Sequence, residues 1–166
     1  MIDLHCHILP GLDDGSSSLE ESLAMARLAA GDGIHTIVAS PHTLNGVYLN
    51  GTREVRSGVS HLQEALKKNQ IDIKLCEGAD IHLCPRMYDY IKRGEAGTIN
   101  GKGKHILLEL PSQTVPGGAR DEIFSLKLGG ITPVITHPER HPGLFADPGA
   151  LYEMVRAGAL CQITAM

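Results

Sequence analysis

His5-Cys6-His7 closes a short apolar run near the start of the chain. Two histidines two residues apart on an extended backbone point to the same side, and Cys6 between them faces the other way as a packing residue. Further donors follow at intervals: Asp13 and Asp14, His42, Asp80, Glu109 and His137. Each stands at or just past the end of a stretch with strand character. Imidazoles and carboxylates delivered one strand at a time to a common edge describe a polynuclear metal site. Mixed nitrogen and oxygen ligands suit Mn, Fe or Zn better than Mg or Ca alone. Carboxylates bridge metals about 3.5–4 Å apart in two-metal hydrolases, where the metals lower the pKa of a bound water and hold a phosphate oxygen for in-line attack. Arg140, on the same loop as His137, is suited to a bidentate phosphate contact or to stabilising the leaving oxygen.

Each donor also has a plainer reading. Asp80 taken singly is a cap or turn residue, and Asp14 is a turn residue of Asp-Gly. Glu109 lies in an apolar run, where a buried acid without a partner is costly, so ligation explains it better than a structural role. His35, His61 and His105 read as structural or solvated, while His82 and His141 stand near the expected mouth and are left open. Cys161 as a thiol nucleophile would need a phosphate-cradling loop ending in Arg, which the sequence does not contain after it.

These residues need a scaffold that brings strand ends together. The pattern alternates strand and helix: strands at Ile2–His5, Ile34–Ser40, Ile71–Cys76, His105–Leu110, Ile131–Thr136 and Leu160–Thr164, with helices near Leu19–Ala30, Thr52–Asn69, Pro85 onward, Ala119–Leu128 and Asp147–Ala157. Ser16-Ser17-Ser18 with Glu20 and Glu21 offers an N-cap and capping box. Val55, Val59, Leu62 and Leu66 share one face of the second helix. Nearly continuous apolar strands alternating with helices imply a parallel sheet covered on both faces. In such folds functional residues gather at the carboxyl ends of the strands, which is where the donors fall. The expectation is a single α/β domain over residues 1–166, an irregular TIM-like (β/α) barrel left incomplete at about six parallel strands, since closed barrels usually take about 250 residues.

Composition narrows the class. The chain is 42% hydrophobic with 4% aromatic residues and no Trp, so its core must be aliphatic. A net charge of −4 argues against nucleic acid as the main partner. No apolar run approaches the ~20 residues of a membrane span. Four cysteines without a C-x-x-C pair suggest free thiols in a reducing compartment, and no signal peptide precedes the first strand, so a cytoplasmic location is expected. An open barrel would expose apolar surface and favour self-association.

The segments M-I-D-L-H-C-H-I-L-P-G-L-D-D-G, A-S-P-H, G-A-D-I, L-L-E-L and I-T-H-P-E-R resemble the PHP (polymerase and histidinol phosphatase) superfamily. They are most similar to the bacterial manganese-dependent tyrosine-protein phosphatases of capsule and exopolysaccharide loci. The resemblance implies an irregular TIM-like barrel, a cluster of two or three metal ions (Mn2+, with Fe or Zn as alternatives), and hydrolysis of phosphotyrosine, typically on a tyrosine autokinase. It assigns ligand roles to His5, His7, His42, Glu109 and His137. Asp80 stands at the family's G-A-E position, Asp14 serves as a ligand or supports one, and Arg140, with His42 at the reacting centre, contacts the phosphate. The family's final Asp-x-His pair from a later strand has no counterpart, so truncation at the C-terminus is expected. Two alternatives stay open: a small-molecule phosphatase of the histidinol phosphatase type, and a noncatalytic metal-binding module.

Overall fold

A computed structural model describes residues 1–164. It is an α/β structure of eight strands in two parallel sheets. β1 (Ile2–Cys6), β2 (Thr36–Ala39) and β4 (Lys74–Glu77) pair in the order β1-β2-β4. β3 (His42–Thr43), β5 (Asp80–His82), β6 (His105–Glu109), β7 (Thr132–Thr136) and β8 (Leu160–Gln162) pair in the order β3-β5-β6-β7-β8. The helices are α1 (Leu19–Gly31), α2 (Thr52–Lys68), α3 (Met87–Lys92), α4 (Ala119–Leu128), α5 (Pro142–Ala146) and α6 (Pro148–Arg156).

The six expected strands are all present, but the described residues add two short ones, β3 and β5, directly after the second and third. β2 passes to β3 through Ser40-Pro41, and β4 passes to β5 through Gly78-Ala79. Pro41 has no N–H to give to a ladder. Its carbonyl accepts from Asp80 N at 3.1 Å, and pairing then resumes at His42–Asp80. Gly78 is required at the matching break: a Cβ there would lie 2.5 Å from Val38 Cγ1. Strand starts also fall later than the apolar pattern suggested. Ile34 and Ile71 spend their amides on the carbonyls of Ala29 and Leu66, closing the ends of α1 and α2 instead of entering the sheet. β1 and β8 are not hydrogen-bonded to one another, so the described strands form no closed barrel.

Helix ends follow the capping signals. Ser18 accepts from Glu21 N, and Asp147 accepts from Gly149 N with Pro148 at the first helical position. The short helix expected at Pro85 begins instead at Met87, after Arg86 turns into the left-handed region at φ 64°. The core is aliphatic, as composition required. One cluster (Ile8, Ile37, Leu62, Leu66 and neighbours) lies between the first sheet and α1 and α2. The other (Ile81, Ile106, Leu108, Ile123, Leu126, Ile135) lies beneath the second sheet. With both sheets anchored to rigid aliphatic layers, their carboxyl ends meet at one rim, and the candidate donors stand on that rim.

Candidate metal centre

The rim encloses a cleft of about 400 Å3 lined by His5, His7, Asp14, His42, Glu109, His137 and Arg140, with Gly15, Gln162 and Thr164 completing the wall. A bulge in β1 between Asp3 and Cys6, held by the His5 amide donating to Asp3 Oδ1, lets both histidines face inward. Cys6 packs on the aliphatic cluster, and burial pushes its thiol up to about 12, which suits a packing residue and not a ligand.

The ring nitrogens are sorted by their outer partners. His5 Nδ1 donates to Gln162 Oε1 at 3.1 Å, and the Gln162 amide is oriented by its own Nε2 donating to the Ile163 carbonyl. His7 Nδ1 donates to Asp13 Oδ2. In the neutral rings both Nε2 atoms then carry lone pairs, and they face each other at 3.1 Å. Two acceptors at that distance call for something positive between them. The pattern of an outer carboxylate or amide fixing a ring so that its inner nitrogen can ligate is the usual one at metal-bound histidines.

Asp80 lies beneath them, wholly buried, with Oδ2 3.3 Å from His5 Nε2 and 3.5 Å from His42 Nδ1. Neither Asp80 Oδ2 nor His42 Nδ1 has a hydrogen-bond partner, although both are buried. Buried polar atoms without partners are costly, and a bound cation would satisfy both. Glu109 Oε2 stands 3.4 Å from His42 Nδ1, and Asp14 Oδ1 stands 3.6 Å from His42 Nε2. The donors therefore fall into three overlapping groups that could hold metal ions: His5, His7 and Asp80; His7, Asp14 and His42; His42, Asp80 and Glu109. The donor set and its unmet acceptors fit divalent metals.

Burial pulls the His5 pKa down, but the adjacent Asp80 carboxylate, 3.3 Å from Nε2, outweighs that and leaves it raised. His137 moves the other way, lowered by burial and by the neighbouring His5 and Arg140 charges against the pull of Asp80.

The two acids of Asp-Asp-Gly divide their work. Asp13, whose side chain is fully enclosed, accepts from His7 Nδ1, from His42 N at 2.9 Å and from Gly15 N at 3.0 Å. Burial alone would raise its pKa; these donors reverse that and hold it below the ordinary range. Asp14 is 67% exposed and projects over the cleft. His137 joins the cleft stacked on His5, ring centroids 5.5 Å apart, but belongs to none of the three groups. Arg140 is 59% exposed on the rim, and its nearest acid, Glu139, is 3.9 Å away. Of the histidines left open, His82 comes within 3.4 Å of Glu109 Oε2. His141 is a structural residue: it accepts from Leu144 N to cap α5 and bonds the Pro111 carbonyl. His35, His61 and His105 are exposed and away from the cleft.

Three supporting residues were missed by sequence reasoning. Gln162 holds His5 from 157 positions away. Asn50 is buried and donates to the carbonyls of Leu12 and His42, tying together the loops that carry Asp13, Asp14 and His42. Gly15 is required by close approach, since a Cβ would fall 2.2 Å from the His7 carbonyl oxygen. The Asp-Asp-Gly spacing was the one available hint for Gly15.

Residues 1–166 match the family described as capsular polysaccharide synthesis, CpsB/CapC. The chain belongs to this family. It is 40% identical over 164 residues to the tyrosine-protein phosphatase YwqE of Bacillus subtilis, covering 99% of this chain and 64% of that protein. It is 32% identical over 165 residues to the putative tyrosine-protein phosphatase CapC of Staphylococcus aureus, again covering 64% of its length. The tyrosine-protein phosphatase CpsB of Streptococcus pneumoniae is 28% identical over 163 residues. A crystal structure from a study of YwqE and CpsB, described as unique metal-dependent tyrosine phosphatases, superposes with a TM-score of 0.94 at 39% identity, covering 98% of this chain and 66% of that one. The chain thus spans roughly two thirds of the length of these family members.

Proposed function

We propose that this chain carries the metal centre of a metal-dependent phosphoesterase that hydrolyses phosphotyrosine on proteins. The observation that carries the reading is the crowding of polar atoms at the cleft floor: Asp80 Oδ2 and His42 Nδ1 are buried 3.5 Å apart without hydrogen-bond partners, beside His5 Nε2 and His7 Nε2 at 3.1 Å. The family's tyrosine phosphatases supply the substrate class. Residues 1–166 are read as one PHP-type domain whose two sheets make an arc of a TIM-like barrel.

His5, His7, Asp14, His42, Asp80 and Glu109 are assigned as ligands, with His137 completing the set from the rim. Two or three ions are expected, Mn2+ foremost, because mixed imidazole and carboxylate donors suit it. Bound there, divalent ions supply an activated water and positive charge for the phosphoryl transition state. The chain's own residues do the rest. Gln162 and Asp13 hold the His5 and His7 rings with their Nε2 lone pairs inward. Asp14, Asp80 and Glu109 concentrate negative charge that would repel a phosphate dianion unless cations intervene, which makes substrate binding metal-dependent. Arg140 lines the cleft with an exposed guanidinium, only loosely paired with Glu139 at 3.9 Å, and grips the phosphate or the leaving oxygen.

The partner expected is a phosphotyrosine protein, in the first instance a bacterial tyrosine autokinase serving capsule or exopolysaccharide synthesis. A cytoplasmic location suits the four free cysteines, and no helix of the described residues is long and apolar enough to cross a membrane. The test is hydrolysis of a phosphotyrosine peptide with added Mn2+ and after chelation. Metal-dependent release of phosphate supports the reading. A folded, metal-binding protein that releases none overturns it for this chain, and a strong preference for histidinol phosphate redirects it to small molecules.

A further inference from the structure

We propose that Val47 and Leu49, with the groove beside them, form a docking surface for apolar residues of the polypeptide flanking a phosphotyrosine. The inference rests on the phosphatase reading above and extends it to substrate choice.

Val47 is 76% exposed and Leu49 74% exposed, on the loop that leaves the His42 strand. Exposed apolar side chains are common on loose loops, but this loop is over-determined. Leu44 is held at a left-handed φ of 59°. The Asn45 carboxamide accepts from the Val47 and Tyr48 amides at 3.0 and 2.8 Å. Leu44 N bonds the Tyr48 carbonyl at 3.0 Å, Thr43 and Leu49 form a bridge, and the Asn50 amide anchors the loop's end to the Leu12 and His42 carbonyls. A loop held at both ends and across its middle presents its apolar tip in one arrangement. Such preorganisation lowers the entropy cost of binding, and a rigid apolar patch in water is a sign of a contact surface.

The patch is continuous with the cleft. Tyr48 lies parallel to the His42 ring, 9° between planes and 6.4 Å between centroids. Leu49 and Leu12 also wall a neighbouring groove of about 640 Å3, floored by Arg53, Ser57 and Gly94. Leu12 directly precedes Asp13 and Asp14. A phosphotyrosine seated at the metal centre then has its chain led over Tyr48 to Val47 and Leu49, where apolar neighbours gain contact beside the polar floor of Arg53, Glu54 and Ser57. A small aryl phosphate reaches none of this surface.

The experiment compares wild type with Val47→Ser, Leu49→Ser and the double variant. The probes are p-nitrophenyl phosphate, a phosphotyrosine peptide flanked by Leu and Ile, and its Ser-flanked counterpart. Binding of the fluorescent peptides carrying a nonhydrolysable phosphonate in place of phosphate is measured alongside. Expected: the double variant loses about tenfold in kcat/KM and in affinity for the Leu/Ile peptide, approaches the wild-type value for the Ser peptide, and keeps its rate on p-nitrophenyl phosphate. Equal loss on p-nitrophenyl phosphate and peptide, or no loss on either, overturns the docking surface while leaving the phosphatase reading standing. Phosphonate-peptide binding that follows the flanking residues without turnover on any phosphoester keeps the docking surface and sinks the phosphatase reading. A concentration-dependent dimer abolished by the double variant assigns the patch to self-association and overturns the proposal.

Discussion

Asp80→Asn probes the centre through one ligand atom while sparing the fold. Asp80 is fully buried; its Oδ1 lies 3.3 Å from Thr136 Oγ1, and its Oδ2, without a hydrogen-bond partner, faces the rings of His5 and His42 at 3.3 and 3.5 Å. Asn keeps an acceptor toward Thr136 and places an NH2 where Oδ2 stood, able to donate to one of the imidazoles. The metal-free variant should therefore match chelated wild type within about 1 kcal/mol. With metal the outcome reverses, because Asp80 belongs to two of the three candidate ion groups and the variant removes its charge from both. A unit charge pair about 4 Å apart is worth roughly 4 kcal/mol at an effective dielectric of about 20. Even after desolvation offsets part of that, a hundredfold loss of affinity, about 2.7 kcal/mol, is a conservative expectation. Wild type at a metal concentration a hundred times its Kd gains about 2.7 kcal/mol, or roughly 5–10 °C in Tm for a chain of this size. The variant at the same concentration sits near its own Kd and gains about 0.4 kcal/mol, roughly 1 °C. Thermal melts across a Mn2+ titration, with chelated controls, read both values. A variant that keeps the wild-type Mn2+ shift, or whose chelated form melts far below chelated wild type, would refute the reasoning.

Gly15→Ala should displace His7, since the added Cβ collides with the His7 backbone and not with a flexible chain end; calorimetric titration should show Mn2+ affinity lowered at least tenfold, together with a lower chelated Tm. Gln162→Leu removes the acceptor that fixes His5, so metal affinity should fall about 10–100-fold while chelated stability changes by no more than about 1 kcal/mol; unchanged affinity would mean His5 is held some other way. The Asp13 carboxyl is lowered in the folded state, so its contribution to stability is complete above the ordinary aspartate range near pH 4 and is lost as pH falls through the lowered value. Chelated melts from pH 6 downward should show this acid loss in wild type and a smaller one in Asp13→Asn; the same acid profile for both would exclude Asp13 as its source.

The donors themselves are legible in the amino-acid sequence. The spacing of His5 and His7, the appearance of His42, Asp80, Glu109 and His137 after successive apolar runs, and the helical face of Val55, Val59, Leu62 and Leu66 are local patterns set by strand and helix periodicity. They determine the alternating α/β order, the aliphatic core and a rim of candidate metal donors. Only the tertiary structure decided how the rim is assembled. It added β3 after Pro41, which has no N–H for the ladder, and β5 after Gly78, where a Cβ would meet Val38. It turned Asp13 inward as the support of His7, a role the sequence did not single out, and left Asp14 over the cleft. It stacked His137 on His5 outside the three ion groups, and it brought Gln162 across the fold to His5. Residue type and period specify which side chains reach a common edge. Which ring nitrogen is left facing its neighbour depends on hydrogen bonds between residues far apart in the chain, and these exist only once the sheets have packed.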